Sequence, residues 1–283
     1  MSTVTQNGSV KGFFDFMNER QRIYLAKESG KMPPPYTDDS ILQKYFFCNV
    51  FREQDKTTVW IRENWRERKA PPDIMIFNMV VARFFNYIPT LKIIGWTIDW
   101  PKQRAKDIEE ELIDYQKEGQ KIFNDAYLIA GTDLKGKNKI TGVCERLDDC
   151  WKNKSFMPAA INDRRTLEWA WENIQRLPGI GPFIAYEIVT DLRHTPILEN
   201  APDIMTWANP GPGAKRGLQR IYSIEAIGNR EHQIQMMRRL LEDSPKYTKL
   251  KLEMRDIEHV CCEYDKYLRI QDGQGMSRRY RHG

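Results

Sequence analysis

The feature that most constrains this fold is a glycine-containing segment, LPGIG at residues 177–181, between two stretches of helical periodicity. Apolar residues on both sides of it recur three or four positions apart, which is the spacing of one helix face. These residues are Leu167, Trp171, Ile174, Ile184, Ala185 and Ile188. The pattern predicts a hairpin over residues 163–193, in which a tight turn joins two helices.

The same periodicity recurs along most of the chain, and almost no segment alternates as a strand does. Each segment is bounded by Pro, Gly, Asp or Ser, residues that begin or end helices. Beyond the hairpin, the segments are 13–29, 38–47, 54–68, 73–86, 101–118, 230–242 and 253–268. We therefore predict an all-α fold of about ten helices.

Composition narrows the class of protein. The chain has 283 residues, 41% of them hydrophobic, which is ample material for a core, and a net charge of +5 that suits a polyanionic partner. Its five cysteines favour reduced thiols. Because neither a long apolar run nor a signal peptide is apparent, we expect a cytoplasmic protein with no membrane partner. We expect a flexible arm (1–12), one two-lobed helical body (13–275) and a basic tail (276–283).

The turn of the hairpin is typical of a clamp on the DNA backbone. Gly179, Ile180 and Gly181 would present backbone N–H groups at the start of the second helix, where the helix dipole also favours a phosphate oxygen. A monovalent or divalent cation at the hairpin is compatible with this interpretation. The alternative is an ordinary turn between two helices, in which glycine supplies a positive φ.

Asp203 follows Gly181 by 22 residues, a spacing that resembles the catalytic aspartate of helix-hairpin-helix DNA glycosylases. The resemblance implies a DNA-glycosylase-like two-lobed helical fold. Phe183 stands where members with lyase activity have a lysine, and no set of four cysteines has iron–sulfur spacing. The alternative for Asp203 is the N-cap of a helix at Ile204–Trp207, and both interpretations stay open.

The segment GPGAKRG, residues 211–217, predicts a phosphate-binding loop. Its glycines would let the backbone approach an anion, and Lys215, Arg216 and the nearby Arg220 add positive charge. The alternative is a solvated loop. A second glycine segment, ending at Gly136-Lys137, lacks the Ser or Thr that binds magnesium in kinase loops, so we expect no kinase activity. The four histidines lack metal-ligand spacing, so we expect no metal site.

Six segments together resemble the α-glutamyl/putrescinyl-thymine pyrophosphorylase family, which includes the helical domain found with 5-hydroxymethyluracil DNA kinases and phage amino acid:DNA transferases. They are FFDFMNERQRIYLAK, PPPYTDDSILQKYFFCNVFREQDKTTVWIRENW, MVVARFFNY, LPGIGPFIAYEIVTDL, NPGPGAKRGLQRI and IEHVCCEYDKYLRIQDGQG. The resemblance implies a bacteriophage enzyme of thymine hypermodification that displaces pyrophosphate from 5-diphosphoryloxymethyluracil in DNA with an amine, an amino acid or a polyamine.

The implied reaction assigns roles to particular residues. Lys215 and Arg216 would stabilise the leaving pyrophosphate, and Asp203 would take the proton of the amine or orient it. Gly179, Ile180, Gly181 and Arg220 would bind DNA while the base is flipped. The proposed substrate-binding residues are Arg52, Asp55, Arg83, Asn86, Glu187 and Asp191. Arg83 and Asn86 are alternatively a buried structural network, and Glu187 and Asp191 are alternatively solvated charges.

Two other functions remain open at this stage. One is a DNA glycosylase that excises a modified base, and the other is a non-catalytic DNA-binding module. The expected partners are double-stranded phage DNA carrying phosphorylated 5-hydroxymethyluracil, an amine and a DNA kinase, in the cytoplasm of an infected host. No cofactor is required, because a diphosphate on a methylene carbon is already a good leaving group.

Overall fold

The computed structural model describes residues 8–31, 33–100, 102–124, 138–162 and 164–274. These residues form helices and connecting turns with no strand, which confirms the expected all-α class. None of the described helices is long and apolar enough to cross a membrane. The predicted basic tail and the Gly136-Lys137 segment lie outside the described residues.

The chain divides into two compact units, with the middle of the sequence in one and both ends in the other. Unit 1 comprises Met1–Asp55 and Ile204–Gly283, and unit 2 comprises Lys56–Asp203. The described helices of unit 1 are α1 (Val10–Ser29), α2 (Ser40–Lys44), α11 (Pro212–Ile221), α12 (Arg230–Asp243) and α13 (Met254–Gln271), with 3₁₀ turns at Arg52–Gln54 and Ser244–Lys246. Those of unit 2 are α3 (Lys56–Ile61), which continues as a π-helical turn (Arg62–Arg66), α4 (Pro72–Phe85), α5 (Ile88–Ile94), α6 (Lys102–Lys117), α7 (Lys139–Lys152), α8 (Phe156–Asn162), α9 (Leu167–Ile174) and α10 (Pro182–Leu192).

An aromatic core holds α1 against α13 in unit 1. The ring of Phe13 meets that of Tyr264 at 5.9 Å between centroids, and Phe16 meets Tyr267 at 5.1 Å. Ser9 caps α1 by accepting a hydrogen bond from the N–H of Gly12, so the helix begins within the segment predicted as an arm. The core of this unit therefore depends on residues from both ends of the sequence.

Helices α4 and α10 form the centre of unit 2. Every residue of α4 from Ile74 to Phe85 is buried, and so is every residue of α10 from Ile184 to Leu192. A helix that is apolar on all sides is stable only when neighbours surround it. The charged residues within these two helices consequently have to find partners inside the protein.

The predicted hairpin corresponds to α9, a turn and α10. Gly179 lies in the turn with φ of +75°, a conformation that side chains disfavour, so glycine is required at this position. Trp171 of α9 donates a hydrogen bond from its indole N–H to the carbonyl of Pro182 at the start of α10, at 2.9 Å. These contacts fix the entry of the chain into α10.

Candidate functional site

The start of α10 offers backbone donors. Gly181 is its N-cap residue and supplies no side-chain oxygen, so no side chain of the described residues caps this helix end. The side chain of Arg146, from α7, lies over Gly179, where a Cβ would overlap it. Backbone amides beside a guanidinium form a setting that suits a phosphate oxygen.

Asp203 lies where its carboxylate supports the same hairpin. Its two oxygens accept hydrogen bonds from the backbone N–H groups of Leu167 and Glu168, at 2.8 and 3.0 Å. No helix starts at Ile204, where residues 202–206 form turns. Of the two interpretations that the sequence left open, these contacts favour capping, but the capped helix is α9, which precedes Asp203 by more than thirty residues.

The GPGAKRG segment is a helix rather than a loop, so the phosphate-loop expectation is wrong in its geometry. Helix α11 begins at Pro212, and the N–H of its N-cap residue Gly211 is donated to the Glu258 carboxylate at 3.3 Å. A Cβ at Gly217 would overlap the carbonyl oxygen of Cys261 in α13. The glycines therefore permit close contact between two helices.

Three arginines surround one buried carboxylate on the α11–α13 face, and we call this group the Asp265 cluster. Asp265 is 1% exposed and lies 2.9 Å from Arg216, 3.3 Å from Arg220 and 3.2 Å from Arg269, each measured to the guanidinium Nε. The arginine side chains remain 49%, 27% and 39% exposed. The cluster thus presents cationic groups to solvent, while Lys215 beside it is exposed.

A second cluster lies between α4 and α10, and we call it the Asp191 cluster. Arg83 binds Asp191 through two hydrogen bonds of 2.6 and 2.7 Å, and Arg66 reaches the same carboxylate at 3.4 Å. Arg83 also donates to Asn86 at 3.3 Å and lies 3.7 Å from Glu187. All of these side chains are buried, so neither Glu187 nor Asp191 is a solvated charge. Arg83 and Asn86 take part in a buried hydrogen-bond network, and their contact with a substrate stays a prediction.

A cationic cleft of about 530 Å³ borders the Asp191 cluster within unit 2. Arg66 lines it, and further cationic or ionisable lining residues are Arg68, Lys69, Arg165 and His194, with Glu67 the acidic one. Sequence reasoning did not identify this cleft, because its walls come from the π-helical turn and from segments near residues 165 and 195. An excess of cationic groups in a concave site favours an anionic ligand.

Arg52 and Asp55 form a third polar group, in unit 1, whereas Arg83 and Asn86 belong to unit 2. Nη1 of Arg52 lies 3.5 Å from the Asp55 carboxylate, which also accepts the N–H of Asn49 at 3.1 Å. Ligand atoms of Cys48, Asp55 and His259 all lie within 4.8 Å of one another. We call these three residues the Cys48 triad.

Burial governs the ionisation of this triad. It raises the pKa of the Cys48 thiol well above its ordinary value, and the charges of Glu263 and Asp55 add to the shift. Burial likewise raises the pKa of Asp55. Burial therefore disfavours the charged forms of both the thiol and the carboxyl group.

Sequence spacing missed the triad, because Cys48 and His259 come from opposite ends of the chain. The signal that was available is that both belong to segments resembling the same family, one containing NVFREQD and the other IEHVCCEYDKY. The structure joins these segments: Cys48 donates its backbone N–H to Glu263 at 3.0 Å, and His259 lies 3.2 Å from the carbonyl of Asn49. Asp203 belongs to unit 2, whereas Lys215 and Arg216 belong to unit 1.

Comparison with known proteins places the chain in a family. The family model described as "5-hmdU DNA kinase, helical domain" matches residues 7–276, and the chain belongs to that family. It is similar to the "5-hmdU DNA kinase" of Bacillus phage SP10, with 25% identity over 296 residues. That alignment covers 90% of this chain and 44% of the phage protein, so the chain spans less than half the length of this relative. No solved structure matches the chain.

Proposed function

We propose that the chain is a phage enzyme of thymine hypermodification, which displaces pyrophosphate from 5-diphosphoryloxymethyluracil in DNA with an amine. The bond between the methylene carbon and the phosphate oxygen breaks, a carbon–nitrogen bond forms, pyrophosphate leaves and the attacking amine loses a proton. The observation that carries the proposal is the family match over residues 7–276. The description of that family names a kinase that acts on 5-hmdU, a modified thymine base, in DNA.

DNA binding is the part of the proposal that the surface supports most directly. The uncapped start of α10, with Arg146 beside the turn, would contact the phosphate backbone, as the helix-hairpin-helix interpretation requires. The half-exposed arginines of the Asp265 cluster add cationic groups that are held in position by a buried carboxylate. Such contacts would hold the duplex while the modified base leaves the stack, which costs a few kcal/mol.

The leaving pyrophosphate requires cationic groups that strengthen their interaction as the carbon–oxygen bond breaks. Lys215 and Arg216 remain the proposed residues, since both are exposed on α11. The cationic cleft of unit 2 is the alternative, with Arg68 and Arg165 at its wall. Replacing each pair by alanine and measuring turnover at saturating DNA separates the two, because only the pair that contacts pyrophosphate should lower kcat.

Asp203 has a supporting role in this scheme. Both of its carboxylate oxygens accept backbone hydrogen bonds at the start of α9, so the side chain is already engaged in holding that helix. We expect Asp203→Asn to weaken the cap of α9 and to retain turnover in the molecules that remain folded. Loss of turnover in a fully folded Asp203→Asn variant would restore the catalytic interpretation.

The experiment that tests the proposal uses duplex DNA carrying 5-diphosphoryloxymethyluracil together with a mixture of amino acids and polyamines. After digestion to nucleosides, mass spectrometry should show a heavier, amine-bearing nucleoside, and its mass identifies the amine. A free base with an abasic site would indicate a glycosylase instead, and unchanged DNA would indicate a binding module. The matched control is duplex DNA with 5-hydroxymethyluracil, which lacks the leaving group and should give no product.

A second candidate activity is phosphorylation of the 5-hydroxymethyl group itself, favoured by the name of the SP10 relative. The control duplex tests it directly when ATP is added. A phosphorylated nucleoside would assign kinase activity to this chain and would contradict the transferase proposal. Because Asn138 stands where a kinase phosphate loop has Ser or Thr, we expect no phosphorylation.

A further inference from the structure

The Cys48 triad combines the three side-chain types that bind zinc in proteins, namely thiolate, imidazole and carboxylate. Around a tetrahedral zinc ion with bonds of about 2.0–2.3 Å, ligand atoms lie roughly 3.5 Å apart. The ligand atoms of the triad are all within 4.8 Å of one another, so side-chain shifts of about 1 Å would close them around an ion.

Contacts behind the ligands would orient them. The carbonyl of Asn49 can only accept a hydrogen bond, so Nε2 of His259, at 3.2 Å, carries the proton in the neutral ring. Nδ1 is then the basic nitrogen, and a histidine that donates its other N–H to a carbonyl is the usual arrangement of a metal ligand. The N–H of Asn49 in turn holds Asp55 through its other carboxylate oxygen, Oδ1.

One carboxylate oxygen at the site is buried and receives no hydrogen bond from the described residues. Oδ2 of Asp55 is buried and accepts no hydrogen bond from the described residues, although Nη1 of Arg52 lies 3.5 Å away. A buried carboxylate oxygen without a donor costs free energy, which a coordinated cation would offset. The two positive charges of a divalent ion would be cancelled by the Cys48 thiolate and the Asp55 carboxylate. The bound site would then be neutral, and Arg52 would not be repelled by it.

We propose that Cys48, Asp55 and His259 bind a zinc ion, with one coordination position left open to a solvent molecule or another small ligand. The donor set selects a borderline metal: Mg²⁺ prefers oxygen ligands alone, whereas Zn²⁺ accepts sulfur, nitrogen and oxygen together. Three protein ligands and one open position are the arrangement of catalytic rather than structural zinc sites. Binding requires loss of the thiol proton, so affinity should rise with pH. The proposal does not depend on the transferase reaction.

The test is titration of the chelator-treated full chain with Co²⁺, which reports on a cysteine ligand by thiolate-to-cobalt charge-transfer absorption in the near ultraviolet. We expect one equivalent of Co²⁺ to bind, to be displaced by one equivalent of Zn²⁺, and to bind more tightly at pH 8 than at pH 6. Wild-type protein without a stoichiometric charge-transfer band would overturn the proposal.

Variants assign the ligands. Cys48→Ser should remove the charge-transfer band, and Asp55→Asn and His259→Gln should each keep a cysteine signal but lower Zn²⁺ affinity by about 100-fold or more. The matched control is Cys262→Ala, a half-buried cysteine of the same unit whose sulfur lies against Gly213. A band that persists in folded Cys48→Ser, or that disappears in Cys262→Ala, would contradict the assignment. Far-UV circular dichroism checks folding, and if Cys48→Ser is unfolded, unchanged affinity in the other two variants decides against the site.

Discussion

The Asp191 and Asp265 clusters both pair a buried aspartate with arginines, but they expose those arginines to different extents. Each has one carboxylate that is 1% exposed and is approached by more than one arginine. In the Asp191 cluster the arginines are buried as well, at 1% and 2% exposure, and Glu187 brings the sum of charges to zero. In the Asp265 cluster the arginines are between 27% and 49% exposed.

The difference separates a structural role from a surface role. Arginines that are buried and paired with a buried carboxylate serve mainly to hold helices together, so the Asp191 cluster specifies how α4 and α10 meet. Arginines that are anchored at one side and hydrated at the other keep donors for a polyanion, and their positions are fixed in advance. Candidate DNA-binding residues should therefore be sought in the Asp265 cluster.

The largest effect should follow from Asp191→Asn. The substitution keeps the shape of the side chain but removes the negative charge that Arg66 and Arg83 both contact in a buried site. Breaking a buried pair in this way costs about 3–5 kcal/mol in the free energy of unfolding. Urea denaturation measures it, and adding Arg66→Met should recover part of the loss because it restores neutrality. If Asp191→Asn is as stable as the wild type, the cluster is not the structural element described.

The next largest effect should follow from Gly217→Ala, which tests whether close contact of α11 and α13 maintains the Asp265 cluster. A Cβ at this position would overlap the carbonyl oxygen of Cys261, and backbone cannot move aside as a flexible side chain does. We expect a loss of about 1–3 kcal/mol in the free energy of unfolding. The matched control is Gly211→Ala, where the nearest atom to a new Cβ is 3.7 Å away and φ is −73°. If the two variants are equally stable, α11 and α13 are not in close contact at Gly217.

The helical class was predictable because helical periodicity is a local property of the sequence. The same reasoning failed at α11, where the glycine content of GPGAKRG indicated a loop. Pro212 suits the first position of a helix, and Gly217 is required by the proximity of Cys261, which is a tertiary contact that no local pattern reveals. In α11, tertiary packing therefore outweighs the low helix propensity of glycine.

The polar sites were predicted only where their residues are close in sequence. Arg83 and Asn86, three positions apart, had a buried network as one of their two interpretations, and they do form a hydrogen bond between the last turn of α4 and its C-cap residue. Asp203 was considered as a cap for the helix that would follow it, but it caps α9, which is distant in sequence. The partners of Asp55 in the Cys48 triad come from another part of the chain, and no spacing rule connects them.

A smaller effect is expected from Asp265→Asn. The three arginines are partly hydrated and Arg220 also pairs with Asp272 at 2.6 Å, so the charges left behind are not buried as in Asp191→Asn. We expect a loss of about 1–2 kcal/mol in the free energy of unfolding, comparable to one or two charged hydrogen bonds. Denaturation of the two asparagine variants under the same conditions compares the clusters directly. If Asp265→Asn costs as much as Asp191→Asn, exposure of the arginines does not distinguish them.

The smallest effect on stability, a loss of about 1 kcal/mol or less, is expected from the double variant Lys215→Ala/Arg216→Ala, because Lys215 is exposed and Asp265 keeps Arg220 and Arg269 when it loses Arg216. Its effect on DNA distinguishes the two ways in which an exposed cation can serve the proposed reaction. If the side chains contact the DNA backbone, affinity for unmodified duplex should fall and the slope of log K against log salt should flatten by about two units, since each lost phosphate contact contributes about 0.9. If they stabilise the leaving pyrophosphate, kcat should fall while that slope stays unchanged.

Lys246→Ala is the matched control, as Lys246 is 69% exposed in the same unit and pairs with Asp243. Equal salt slopes and equal kcat in wild-type protein, double variant and control would show that exposure and positive charge on α11 do not suffice for function, and that the cationic cleft of unit 2 is the better place to look for the pyrophosphate.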